Sequence, residues 1–70
     1  MEETRYLTER EQQTLELIAS GHSNKEIARV LGISAETVKW HLKQMYEKLQ
    51  VSSRMQAVNQ AREWKLLKVE

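Results

Sequence analysis

The chain contains no cysteine, no proline and no phenylalanine, and only two glycines among 70 residues. Without thiols there is neither a disulfide framework nor a thiolate metal site, which leaves His22 and His41 as the only imidazoles. Too few ligands remain to expect a metal or a cofactor. The strongest helix breakers are absent or scarce, and Glu, Lys, Gln, Leu and Ala favour helix almost throughout, with little support for a sheet. No segment approaches the ~20 apolar residues of a membrane span, and the acidic start of the chain lacks the apolar run of a secretory signal. A cytoplasmic protein with no membrane contact is expected. The length allows one domain with one small core and no deep catalytic cleft, so the expected fold is all-α, a single unit over residues 1–70.

The net charge of +1 says little, but its distribution is uneven. In residues 1–20, Arg5 and Arg10 stand against Glu2, Glu3, Glu9, Glu11 and Glu16, giving −3. In residues 21–54, Lys25, Arg29, Lys39, Lys43, Lys48 and Arg54 stand against Glu26, Glu36 and Glu47, giving +3. A basic middle segment suits a polyanionic partner, although solvated helix faces account for the same pattern.

Four helices are expected, at about 8–20, 24–31, 35–49 and 53–64. Thr8 with Glu11, and Ser23 with Glu26, each have the spacing of a capping box. Thr14, Leu15, Leu17 and Ile18 give the first helix its apolar side, and Gly21 suits its left-handed stop. Ile27, Ala28 and Leu31 form the buried face of the second. Gly32-Ile33-Ser34 then reads as a tight turn, with Ser34 capping the third helix. Two capped helices meeting at such a turn make a helix-turn-helix pattern. Ser52 or Ser53 starts the fourth helix, with Ala57, Val58, Ala61 and Trp64 on its apolar side. Leu66, Leu67 and Val69 look like surplus apolar content, partly exposed and available to a partner.

Placing successive residues of the third helix 100° apart separates three sectors. Val38, Leu42, Met45 and Leu49 make a core stripe with Tyr46 at its edge. Glu36, Lys39, Trp40, Lys43 and Glu47 lie opposite, and Thr37, His41, Gln44 and Lys48 form a flank. Trp40 is the anomaly, because an indole on a polar face exposes apolar area unless something covers it. DNA supplies one cover, through thymine methyls, while Lys39 and Lys43 reach guanine edges or phosphates in a major groove. The N-terminal segment around Tyr6 is the other.

The blocks LTERE at 7–11, SNKEIARVLGIS at 23–34, TVKWHLK at 37–43, YEKL at 46–49 and VSSRMQAV at 51–58 together resemble the LuxR-type regulators, also called the FixJ or GerE type. The resemblance implies a four-helix, LuxR-type helix-turn-helix domain that binds specific double-stranded DNA as a transcriptional regulator. It puts Lys39, Trp40 and Lys43 where bases are read. Asn24, Lys25, Thr37, His41, Lys48, Ser53 and Arg54 fall where phosphates are held or the reading helix is oriented. The fourth helix, with Met55, Val58, Asn59 and Arg62, falls where relatives dimerise. A homodimer would read half-sites about one turn, roughly 10 base pairs, apart, with RNA polymerase as a further partner. Thr14 departs from the pattern where an aliphatic residue is usual, Gln44 where Asn is, and Gln50 where Gly is. A non-Gly residue in a left-handed turn costs on the order of 1 kcal/mol, which argues for another geometry at Gln50. Trp40, where smaller residues are frequent, implies an unusual base preference.

Other sites fare worse. His22, just before a cap, reads as exposed, and neither it nor His41 is accompanied by a nucleophile or carboxylate constellation, so no enzyme is expected. Met45 and Met55 read as core filler. Glu11, facing inward, has Arg54 as its expected partner. Two alternatives stay open: a helical protein-interaction module using Trp40 and the C-terminal apolar residues, and a promoter-recognition domain like region four of sigma factors.

Overall fold

In the computed structural model, residues 7–67 are described, and they form four helices in the order α1 Glu9–Ala19, α2 Asn24–Leu31, α3 Ala35–Leu49 and α4 Arg54–Glu63. Tyr6 and Val69 lie outside the described residues. Every helix starts on a hydroxyl. Thr8 accepts from the Glu11 amide and Ser23 from the Glu26 amide, and each glutamate returns a bond to its cap's amide, completing two capping boxes. Ser34 accepts from the Thr37 amide and Ser53 from that of Gln56. The caps thus satisfy amides that helix geometry leaves unpaired, which is why the boundaries fall where these residues stand.

The core is built from Leu7, Leu15, Ile18, Ile27, Ala28, Val38, Leu42, Met45, Leu49, Ala57, Ala61 and Leu67, with Leu31, Tyr46, Val51, Val58 and Leu66 packed around it. The stripe Val38, Leu42, Met45 and Leu49 lets α3 serve as the central helix against which the other three pack. Ala57 and Ala61 are fully buried and Val58 packs beside them, so α4 meets the core through small side chains. Thr14 is also fully buried, and its hydroxyl donates to the Arg10 carbonyl oxygen at 2.9 Å. That bond lets a polar residue occupy an aliphatic position without an unmet donor.

Gly32 holds φ +70° at the turn between α2 and α3, a conformation that costs glycine little. Gln50 adopts the same left-handed conformation, with φ 61° and ψ 45°, so the expectation of a different turn geometry is corrected. The Val51 amide donates to the Tyr46 carbonyl oxygen at 3.0 Å across this turn. Closing that bond while Leu49 is buried and Val51 packs on the core outweighs a penalty of about 1 kcal/mol.

The C-terminal expectations also change. Trp64 is the C-cap of α4, in helical register with Ala57 and Ala61, and stays 39% exposed. Lys65, at φ 60°, turns the chain back so that Leu67 enters the core and Leu66 packs on it, its carbonyl oxygen accepting from Gln12 Nε2 at 2.7 Å. These leucines complete the core instead of waiting for a partner. Met55, expected as filler, is 74% exposed, because its position on α4 faces away from the Ala57 and Ala61 stripe.

Candidate nucleic-acid interface

The outward sector of α3 is open: Glu36, Lys39, Trp40, Lys43 and Glu47 are all exposed, and the flank of Thr37, His41, Gln44 and Lys48 is half-buried. Helical periodicity alone therefore sorted the face, the flank and the core. Trp40 is 58% exposed and meets the His41 ring edge to face, with centroids 5.3 Å apart at 68°. That T-shaped contact restrains the indole while leaving most of its surface uncovered. Lys39 and Lys43 follow one another by four residues along the same face, with Trp40 beside them. The result is a largely uncovered aromatic surface flanked by two exposed cations on a rod whose reverse side is locked into the core.

At the start of this helix, the Ser34 and Thr37 hydroxyls lie 2.9 Å apart, so Thr37 is tied into the cap. Lys25 is exposed on the first turn of α2, and Ser53 is exposed at the α4 cap. Asn24 and Arg54 are brought together, although 30 residues separate them. Arg54 Nη2 donates to Asn24 Oδ1 at 2.6 Å and Nη1 to the His22 carbonyl oxygen at 2.7 Å. His22 is accordingly half-buried, not exposed, with Nδ1 3.2 Å from the Leu17 carbonyl oxygen.

The expected pairing of Glu11 with Arg54 is corrected. Glu11 is 4% exposed, and Lys48 Nζ meets its Oε1 at 2.7 Å. The same oxygen accepts from the Thr8 amide at 3.0 Å, so a single carboxylate closes the α1 capping box and anchors α3. Lys48 and Arg54 thus have their charged groups bonded within the protein, whereas Lys25, Lys39 and Lys43 are exposed on the surface. Arg10, which no sequence signal singled out, donates at 3.4 Å to the Leu31 carbonyl oxygen near the end of α2. Burial raises the Tyr46 phenol above its ordinary range, with the Arg54 charge opposing that shift. On α4, Met55, Asn59 and Arg62 are exposed and Val58 is half-buried, so the first three share an open surface. Among the described residues no group of acidic, histidine or cysteine side chains is arranged to hold a metal, and no helix is long and apolar enough to cross a membrane.

The sequence model for bacterial regulatory proteins of the luxR family matches residues 5–61. The chain belongs to the luxR family. As a luxR-family domain it is 51% identical over 55 residues to the HTH-type transcriptional regulator MalT of Yersinia pestis (strain Pestoides F), an alignment covering 79% of this chain and 6% of MalT. It thus spans about 6% of the length of these longer relatives. The solved structure of the transcription factor GerE matches it with a TM-score of 0.87 at 33% identity, covering 96% of this chain and 100% of that one. The ligand and DNA complex of VqmA from Vibrio cholera matches with a TM-score of 0.84 at 31% identity, over 100% of this chain and 31% of VqmA. These likenesses establish the luxR-family four-helix fold and a family of transcriptional regulators.

Proposed function

We propose that this domain binds duplex DNA as the DNA-reading part of a transcriptional regulator, with α3 in the major groove. The observation that carries this reading is the exposed Trp40 set between Lys39 and Lys43 on the outer face of a helix whose opposite stripe is buried in the core. In that role, Lys39 and Lys43 donate to guanine O6 and N7, and the Trp40 indole packs on thymine methyls. Lys25, Asn24, Thr37, His41 and Ser53 contact phosphates, positioning the helix without reading sequence. Lys48 and Arg54 add positive charge while bracing the scaffold. VqmA, a structural neighbour, is known in a complex with DNA, which supports the assignment.

A second copy would pair through α4, using Met55, Val58, Asn59 and Arg62, and a dimer would span half-sites about 10 base pairs apart. RNA polymerase is a further partner in this reading, and the cytoplasm its location. No catalytic role is assigned, in keeping with a family of regulators.

Titrating the chain with duplex DNA at rising salt tests the proposal. Each neutralised phosphate contributes about −0.9 to the slope of log K against log salt, so several contacts give a steep fall. Weak binding insensitive to salt would instead favour a protein-interaction module. Selection from random duplexes should return a defined site for the wild type, and Lys39→Ala should shift the preferred bases. Equal loss on every sequence would remove Lys39 from the base-reading set.

A further inference from the structure

Arg54 opens α4, a place where a cation does nothing for its own helix. The first turn carries the positive end of the helix dipole, and no acidic residue stands there to offset the added charge. The guanidinium is spent elsewhere. It reaches the main chain of His22, just before the α2 cap, and the side chain of Asn24, the first residue of α2. The two bonds, at 2.7 and 2.6 Å, use both terminal nitrogens of one rigid planar group. A lysine ammonium keeps the charge but lacks that fork. With Oδ1 bonded to Arg54, the orientation of the Asn24 amide is set, and among the described residues nothing accepts from its NH2 group.

We propose that Arg54 is a positioning residue for DNA binding: it acts through Asn24, aiming that NH2 group at a backbone phosphate beside α2, and does not itself bind phosphate. The inference rests on the DNA-binding function proposed above. It separates two cationic roles that charge alone does not distinguish, a surface lysine that neutralises phosphate and an arginine that orients its donor.

The test uses the 70-residue chain and a mixed-sequence DNA duplex, since phosphate contacts carry no sequence information. Affinity and salt slope are measured for wild type, Arg54→Lys, Arg54→Ala, Asn24→Ala and the double variant Arg54→Lys with Asn24→Ala. Circular dichroism melts set a temperature at which every variant is folded. Arg54→Lys should weaken binding about tenfold, the worth of one charge-assisted hydrogen bond, despite its unchanged charge. Asn24→Ala should lose a similar factor and lower the salt slope by no more than the wild-type share of one contact. The double variant should lose no more than either single one, because both changes remove the same donor. Wild-type affinity for Arg54→Lys, additive losses in the double variant, or a slope about 0.9 shallower for Arg54→Ala with Asn24→Ala unaffected would each overturn the proposal. Absence of any salt-sensitive binding by the wild type would overturn the DNA-binding function itself, and this inference with it.

Discussion

Replacing Glu11 by Gln neutralises a carboxylate that is 4% exposed and serves two partners, the Thr8 amide at 3.0 Å and Lys48 Nζ at 2.7 Å. Gln offers an amide oxygen of the same shape, so the backbone bond that closes the capping box survives. What disappears is the charge. A hydrogen bond to a charged group contributes about 1.5–3 kcal/mol. The Lys48 side chain is 36% exposed, however, so solvent screens the pair and reduces the net loss to about 1 kcal/mol. Removing an anion from the first turn of α1 costs a further ~0.3–1 kcal/mol through the helix dipole. The expected destabilisation of about 1–2 kcal/mol corresponds to a fall in melting temperature of roughly 4–15 °C for a domain of this size. Thermal melts of wild type, Glu11→Gln, Lys48→Met and the double variant measure it directly. The two changes should couple by about 1 kcal/mol. An unchanged melting temperature for Glu11→Gln, or strictly additive losses in the double variant, would refute the account of this ion pair.

Gln50→Gly relieves a left-handed residue at φ 61° and should stabilise the domain by about 0.5–1 kcal/mol, the relief exceeding the extra chain entropy of glycine; denaturant titration with no gain would contradict this. Tyr46 keeps its proton to higher pH in the folded state than when unfolded, so its contribution is complete below about pH 10 and is lost as pH rises through the folded value. Tyr46→Phe should therefore flatten the decline of stability above about pH 10, measured by chemical unfolding. Trp40→Ala removes an exposed indole and should shift stability by no more than about 0.5 kcal/mol while weakening DNA binding and blurring sequence preference. A large drop in melting temperature would instead make Trp40 a structural residue.

Local chemistry made most of this domain legible from its residues. Hydroxyl caps with glutamate three positions on marked the starts of α1 and α2, because each pairing is completed within one helical turn. The three sectors of α3 followed from a single angle per residue. What escaped notice depends on distant neighbours. Glu11 had Arg54 as its expected partner, and it is the packing of α3 on α1 that brings Lys48 to it instead. His22 has its carbonyl held from 32 positions away, a tie with no sequence signature. Gln50 and Lys65 take left-handed conformations that local preference opposes, because the buried leucines at 49 and 67 gain more than the turns cost. The base-reading and phosphate-binding assignments rest on exposure and on family resemblance, and binding measurements are their test.

Ala57 and Ala61, both fully closed off, seat α4 on its neighbours through small side chains. Neither site has free space for an added methylene, so enlarging either residue would act as a wedge and tilt the helix. Because Arg54 at its tip grips the loop ahead of α2, that tilt would be felt at the far end of the reading unit. Methyl-sized contacts in so small a domain thus set an angle between helices, and that angle is tuned by residues that never approach a ligand.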